Sequence, residues 1–535
     1  MSASATRIQD FHGGLHLPDH KAESTGRPIG RVALPPRLIL PLQQHIGSAA
    51  EPTVAVGEQV GKGQLIARAT DYVSAPVHAP TSGTIAAIAN LPVPHPSGLE
   101  APCIVLDSDG RDSWAEQLLP PPLADYRELD RADLRERIRW AGVVGLGGAA
   151  FPTSVKVNPG ADRTIHTLIV NGAECEPYIT CDDLLMRAHA DRVVAGIDIL
   201  KYLVGAQDCL VGIEDNKPEA IAAMRAAIAA AGAAAEVVVV PTKYPSGGEK
   251  QLIHLLTGKE VPVHAIPAEI GIVCQNVGTA AAVADAVLEG RPLISRLVTV
   301  TGAGIAAPQN FEVPIGTPVA ALIAAAGGYT AAAQRLILGG PMMGFALRDD
   351  AVPVTKAANC LLVASAAEAP APDAAGPCIR CGECARVCPM QLLPQQLYWY
   401  ARAKDLDKAQ DYHLFDCIEC GCCSYVCPAH IPLVQYYRYA KTETWTQERE
   451  KRKSDLARQR HEARVARLAR LEAERKAKLR KKKEALEEQP AGAAASDPKK
   501  AAIEAAMRRV AAKKAAQAEA AGAAADQPAA PHEKA

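Results

Sequence analysis

Two runs of cysteine dominate the chemistry open to this chain. Cys378, Cys381, Cys384 and Cys388 stand at x2, x2 and x3 spacing and are followed by Pro389; Cys417, Cys420, Cys423 and Cys427 repeat the pattern before Pro428, each position offset by 39 residues. Three cysteines at x2 spacing let one tight loop hold three irons of a cubane while its amides face the sulfides, and in two-cluster proteins the fourth cysteine serves the other cluster. On that rule Cys378, Cys381, Cys384 and Cys427 hold one [4Fe–4S] cluster, and Cys388, Cys417, Cys420 and Cys423 hold a second. Structural zinc also uses all-cysteine sites, but a doubled x2-x2-x3-Pro run favours iron and sulfur. Cys422 falls out of register and reads as a bystander thiol. The 28 residues between the two runs contain a helical stretch, 392–405, which favours a helical dicluster domain over a compact β-hairpin ferredoxin.

Such clusters move single electrons, so a group that handles electron pairs belongs elsewhere in the chain. Gly145, Gly147 and Gly148, followed by Phe151 and Lys156, form a glycine-rich loop that lets backbone approach a phosphate or flat ring closely. It is not the dinucleotide GxGxxG pattern, and by itself such a loop is more often a tight turn. Three further loops accompany it. Asn171, Glu174 and Glu176 follow a strand at 168–170. Tyr244, Gly247, Gly248, Glu249 and Lys250 follow a strand at 237–240. Asn276 and Thr279 complete the set. Four such loops, most of them at strand ends, mark the place where open α/β sheets bind ligands.

The elements that must position these residues are legible in outline. A chain of 535 residues with 48% hydrophobic and 22% charged residues builds three or four packed domains. The fold class is multidomain, α/β and α+β. A polar lead, 1–30, carries Phe11-His12-Gly13-Gly14. Short strands broken by Gly and Pro over 31–115 resemble the barrel-sandwich hybrid of biotinyl and lipoyl carriers; the tip Asp71-Tyr72-Val73-Ser74 has no attachment lysine, so the module is structural. An α/β domain spans 123–295, with a helix over 131–140 and strands at 168–170, 210–213 and 237–240. A β-grasp, SLBB-like unit with one helix, 319–326, spans 296–363. An Ala/Pro linker at 364–376 leads to the dicluster domain, 377–440. The tail, 441–535, is expected to be a charged solvated helix grading into disorder.

Composition narrows the setting. The fifteen cysteines are odd in number and nine lie between Cys378 and Cys427, which argues for metal in a reducing compartment rather than a disulfide framework. From Arg449 to Lys483 there are sixteen Lys/Arg against five Asp/Glu, a local +11 inside a chain of net charge −1. No stretch reads as a membrane span, and the polar N-terminus has no secretory h-region, so a cytoplasmic location is expected. The basic run carries no nucleic-acid recognition motif; a lipid surface or an acidic partner is the fitting reading.

The loops in this order resemble the FMN- and NADH-binding subunit of respiratory complex I. More closely, the chain up to about residue 440 is similar to the RnfC-type component of the Rnf (Rsx) ion-translocating electron transport complexes. The resemblance implies FMN bound in 123–295, NAD(H) as substrate, and two [4Fe–4S] clusters. It places Lys156 near the flavin phosphate or pyrimidine edge and Asn171 on the ring edge. Glu174, Glu176 and Glu249 fall near ribose hydroxyls or the nicotinamide amide, and Phe151 stacks on a ring. It implies integral membrane subunits and a ferredoxin-like subunit as partners, and a peripheral position on the cytoplasmic face of the bacterial inner membrane. One departure is Ala150, where the family usually has Gly before Phe-Pro-Thr. Two rivals share the pattern: a cobalamin reductase of a diol-utilisation microcompartment, and a non-catalytic scaffold subunit that binds no flavin.

Overall fold

The computed structural model describes residues 8–160, 162–371, 374–487 and 498–523. The chain divides into two units, one reaching Trp445 and one beginning at Thr446.

In the first unit, a parallel sheet positions the glycine loops. Its strands are β1 (Thr167–Asn171), β2 (Asp208–Glu214), β3 (Glu236–Val240) and β4 (Ile272–Asn276). They are short and rich in Val, Ile and Leu, as strands covered on both faces must be. Helices α1 (Arg131–Trp140), α2 (Cys181–Ala188), α3 (Ala190–Val204), α4 (Pro218–Ala231), α5 (Glu249–Thr257) and α6 (Val277–Ala284) accompany them. Asp130 caps α1 by accepting from the amides of Ala132 and Asp133, which explains why that helix starts where its apolar spacing starts. The sheet order is β3-β2-β1-β4. The chain therefore adds strands outward on one side of β1 and then reverses to place β4 on the other side. The crevice at such a reversal, beyond the carboxyl ends of the strands, is where open α/β sheets hold ligands. β1 and β4 are in register, with Asn171 beside Asn276.

Around this layer sit the β modules. Strands Arg37–Pro41, Gln59–Val60, Gly83–Pro92 and Glu100–Ser108 form one sheet of the barrel-sandwich, and Glu51–Pro52, Leu65–Arg68 and Val77–His78 form the other. The segment where carrier domains present a lysine is docked instead: Asp71 O accepts from Arg139 Nη2 (3.1 Å) and Tyr72 Oη accepts from Asn158 Nδ2 (3.0 Å). A mixed six-stranded sheet built on Ser295–Thr301, Gln309–Pro314, Arg335–Leu338 and Cys360–Ala364 packs helix Val319–Ala325. Strand Gly30–Arg31, from the lead, joins its edge. The cysteine region is helical, as the spacing between the two runs suggested, with Pro394–Ala403 and the start of Leu433–Glu487 packed through Leu397, Tyr398, Leu433 and Tyr437.

Where three modules meet, Lys356 is fully buried, and its Nζ donates to Pro76 O (2.8 Å) and Gly142 O (2.7 Å). Burial pulls its ammonium down from 10.5 to about 7. His45 and His78 nearby are also held neutral by burial, joined below pH 7 by the charge of protonated Lys356, His45 at about 4, and neither ring nitrogen of His78 has a hydrogen-bond partner. Between pH 7 and 10.5 an unfolded Lys356 keeps a proton that the folded one has released, so stability rises with pH across that window; below pH 7 the penalty is constant. From pH 7 to 9 this contributes about 2 kcal/mol. Thermal melts of the chain at both pH values are expected to show the rise, and Lys356→Met is expected to remove it. An unchanged slope in the variant contradicts a neutral Lys356.

The second unit departs from expectation in one respect. Helix Leu433–Glu487 runs on through the basic segment, almost wholly exposed beyond Glu448, as a solvated charged helix should be. The Ala-rich segment expected to be disordered contains a further helix, Pro498–Ala523. Alanine is the strongest helix former, so local propensity makes a helix there without a core. The rest of the expected disorder, 488–497 and 524–535, lies outside the described residues. Among the described residues no helix is long and apolar enough to cross a membrane.

Candidate functional site

The eight cysteines of the doubled run divide between two cavities. Cys378, Cys381, Cys384 and Cys427 line one, of about 360 Å³, together with Trp399 and Ile431. Cys388, Cys417, Cys420 and Cys423 line the other, with Cys422 and Tyr437. All eight are free thiols. The duplication extends to the backbone. Arg380 and Glu419, Gly382 and Gly421, and Gln391 and His430 are pairs 39 residues apart, and all six have positive φ, between 50° and 84°. Those conformations turn each loop around its cavity. Burial pushes the Cys417 thiol up to about 12 and raises Cys388 and Cys384 as well, so these three thiolates need the charge of a metal to form, whereas a hydrogen bond with Cys422 holds Cys420 below its ordinary value. The donor set fits an all-thiolate cluster in each cavity. Beneath the second, the buried Lys441 donates to Cys417 O (2.6 Å) and pairs with Glu419 (2.9 Å), which also meets Arg438 (2.9 Å). Cys422, fully buried, contacts Tyr244 and Cys420. Nothing in the cysteine spacing signals Lys441.

The four loops converge at the sheet reversal. Gly145 N donates to Phe151 O (2.8 Å) and Ala150 N to Gly145 O (3.1 Å), closing the glycine loop on itself. Leu146 anchors it: its amide donates to Thr279 Oγ1 (2.9 Å) and its carbonyl accepts from Arg296 Nη2 (3.1 Å). Gly147, Gly148 and Ala149 are exposed. A Cβ on Gly147 would stand 3.3 Å from the Asn276 side chain, whereas one on Gly148, at φ +122°, would meet nothing within 4 Å. This is an open cradle that glycine leaves free. Ala150 sits at φ +48°, a region that costs a non-glycine residue about 1 kcal/mol. The departure from glycine at this position is thus a small backbone strain. Lys156 Nζ pairs with Glu249 Oε1 at 2.6 Å; burial lowers its affinity for a proton, but the carboxylate outweighs that and holds the ammonium above its ordinary value. Thr153 Oγ1 and Gln275 Nε2, in the segments that form the crevice, are buried with no hydrogen-bond partner. An open glycine cradle and a held ammonium fit a flat ring carrying a phosphate.

Several residues expected to touch a cofactor are occupied in building the crevice. Asn171 donates through Nδ2 to Gly247 O (2.8 Å) and accepts from Ala173 N (3.1 Å), tying two loops together. Asn276 Oδ1 caps α6 by accepting from Gly278 N and Thr279 N, and its Nδ2 donates to Asp182 (2.6 Å). Glu174 accepts from the amides of Asp182 (2.7 Å) and Asp183 (3.1 Å), and burial pushes it up to about 8. Glu176 accepts from Met342 N (2.7 Å) and Met343 N (3.0 Å). Glu174 uses both carboxylate oxygens on these amides, and Glu176 uses Oε1 on both of its amides. Gly247 lies where a Cβ would stand 2.9 Å from Cys175 Sγ, and on Gly248 it would stand 2.4 Å from Gln251 Oε1. Tyr244 turns its hydroxyl to Cys420 O (2.7 Å), and Lys250 faces Asp416 (3.6 Å). Phe151 is half-buried at the loop's end. One residue of the crevice has no sequence signal at all: the buried Lys21, in the polar lead, donates to Glu174 O, Glu176 O and Ile179 O at 2.7, 3.2 and 2.7 Å.

Comparison with known proteins follows these modules. Family models match residues 9–111 (RnfC barrel sandwich hybrid domain), 138–285 (Nuo51 FMN-binding domain), 297–346 (SLBB domain) and 377–431 (4Fe-4S dicluster domain). The RnfC component of the ion-translocating oxidoreductase complex of Pseudomonas aeruginosa is 53% identical over 470 residues, 88% of this chain and 60% of its own. The protein of the same name from Yersinia pestis is 49% identical over 87% of this chain and 74% of its own. The chain thus spans about three-fifths of the length of the first of these relatives. A solved NAD+-reducing [NiFe]-hydrogenase overlaps with a TM-score of 0.40 and 21% identity, over 52% of this chain and 54% of that one. The chain carries an FMN-binding domain and a 4Fe-4S dicluster domain, joined to a barrel-sandwich and an SLBB domain. It belongs to the RnfC family of ion-translocating oxidoreductase complex components.

Proposed function

We propose that this chain is a peripheral electron-transfer subunit of a membrane-bound ion-translocating oxidoreductase. It would pass electrons between NADH and ferredoxin-type and integral membrane subunits, on the cytoplasmic face of a bacterial inner membrane. The observation that carries this reading is the pairing of sites on one segment. The loop from Tyr244 to Lys250 borders the glycine crevice through Gly247 and Glu249, and reaches the loop that carries Cys417 and Cys420 through Tyr244, which donates to Cys420 O, and Lys250, which faces Asp416.

FMN, when bound, supplies the conversion of a hydride's electron pair into single electrons. The chain's own residues do the rest. Gly147, Gly148 and Ala149 admit the flat ring, and Lys156, held by Glu249, provides positive charge against a phosphate or a reduced ring. Asn171, Asn276, Thr279 and Lys21 keep the crevice loops in place. Phe151 borders the approach and offers a face on which a nicotinamide or adenine ring stacks. The two groups of four cysteines ligate [4Fe–4S] clusters as the doubled run assigns them. In the second unit, the +11 segment offers its charge to anionic lipid or an acidic partner.

The test is an NADH titration of the anaerobically purified full chain. Bleaching of flavin absorbance followed by loss of the broad iron–sulfur absorbance is expected, with NADH-dependent reduction of a one-electron dye. A chain that binds flavin and iron but is not reduced by NADH contradicts the assignment of donor.

A further inference from the structure

The Phe11-His12-Gly13-Gly14 lead lies between the two redox sites. Gly14 N donates to Val387 O (3.0 Å), one residue before Cys388, and Leu15 and Tyr244 exchange both backbone hydrogen bonds at 2.8 Å. Gly13 and Gly14 have φ of 66° and 77°; a Cβ on Gly13 would stand 2.7 Å from the Val387 carbonyl, and one on Gly14 would stand 2.7 Å from Tyr244 O. Only glycine passes through this gap. Phe11 is buried under Lys243, whose Nζ lies 4.4 Å from its ring centroid and donates to Phe11 O (2.7 Å) and Asp10 Oδ1 (2.8 Å). The same segment continues toward the cysteine domain: Tyr244 Oη donates to Cys420 O, and Gln251 Nε2 lies 3.0 Å from Met390 Sδ. Val387, Cys420 and Met390 all border the Cys388, Cys417, Cys420, Cys423 cavity or adjoin its ligands. The other cavity lies toward solvent. Cys381 is exposed, Ile379 is 66% exposed and Trp399 39%.

Resting on the redox reading above, we propose that Phe11–Leu15 and Tyr244 form a splint that fixes the Cys388, Cys417, Cys420, Cys423 site against the flavin crevice. That site receives electrons first, and the Cys378, Cys381, Cys384, Cys427 site passes them outward. Gly13, Gly14 and Tyr244 are positioning residues in this account. The electrons balance: one NADH is oxidised to NAD+ with release of one proton, and each cluster is reduced by one electron.

The experiment uses the full chain, purified anaerobically with its flavin and iron, and follows reduced clusters by electron paramagnetic resonance after rapid mixing with NADH. Gly13→Ala is expected to keep its flavin and iron and to reduce its flavin at the normal rate. Its cluster signals should then appear at least 10-fold more slowly. Tyr244→Phe, one oxygen atom smaller, carries the test if Gly13→Ala does not fold. Removing a donor from Cys420 O leaves more negative charge beside the cluster, so one midpoint potential is expected to become more negative, in the signal that Cys420→Ala abolishes. The proposal is overturned if cluster reduction keeps its rate in the variants, or if the shifted signal is the one Cys384→Ala abolishes. An unsubstituted chain without flavin and iron overturns the redox reading together with the splint. A loaded unsubstituted chain with indifferent variants overturns the splint alone.

Discussion

Cys420→Ala is expected to lower the iron content from about eight atoms per chain to about four and to slow NADH-driven reduction of the remaining cluster at least 100-fold. Cys384→Ala is expected to remove the same amount of iron but to leave the remaining cluster reducible at nearly the normal rate. The asymmetry comes from placement. Cys420 is buried, and its carbonyl accepts the Tyr244 hydroxyl from the crevice side, whereas Cys384 lines the cavity shared with the exposed Cys381. Without the inner site, an electron leaving the crevice has no near acceptor; without the outer one, it still has the inner. The flavin serves as internal control. The crevice belongs to the α/β core, which is separate from the core of Leu397, Tyr398 and Tyr437 under the cysteines, so each variant should bind flavin normally. Iron analysis with the same rapid-mixing spectra decides it. Equal rates in the two variants would contradict the order of the sites.

Gly148→Val is expected to produce the opposite separation, with flavin content at least 10-fold lower and iron unchanged. At φ +122° a branched residue is strained by about 1–3 kcal/mol, and its side chain enters the open space above the loop. Lys156 and its partner Glu249 are untouched, so the loss would come from the cradle itself. Flavin released by denaturation and measured by fluorescence, against protein and iron, gives the ratio. Normal flavin occupancy in Gly148→Val would place the ring elsewhere.

Much of the architecture was legible because local patterns agreed with the global fold. The helix expected over 131–140 is α1, with Asp130 as its cap, and the β-branched runs at 168–170, 210–213 and 237–240 lie within β1, β2 and β3. Strand order was not legible, since which strand lies beside β1 is decided by packing that leaves no local mark. Motif spacing was informative about which loops gather at one place, less so about what each side chain does there. Glu174 and Glu176 look like ligands for a ribose, but each also sits where a turn offers backbone amides, which engage both oxygens of Glu174 and Oε1 of Glu176. Tyr244 follows a strand like a flavin contact, yet a segment 176 residues away supplies its acceptor. Lys21 shows no periodicity or motif, because its role is to satisfy three carbonyls brought together only by the fold. The helix at Pro498–Ala523 was not legible for another reason: a segment without large apolar residues cannot build a core, but alanine makes helix without one.

One chain holds a flavin crevice and two four-thiolate sites. Quantifying flavin and iron in the anaerobically purified full chain tests it most directly. About one FMN and about eight irons per chain is the predicted result. A colourless protein, or one that holds zinc in place of iron and carries no flavin, would contradict it.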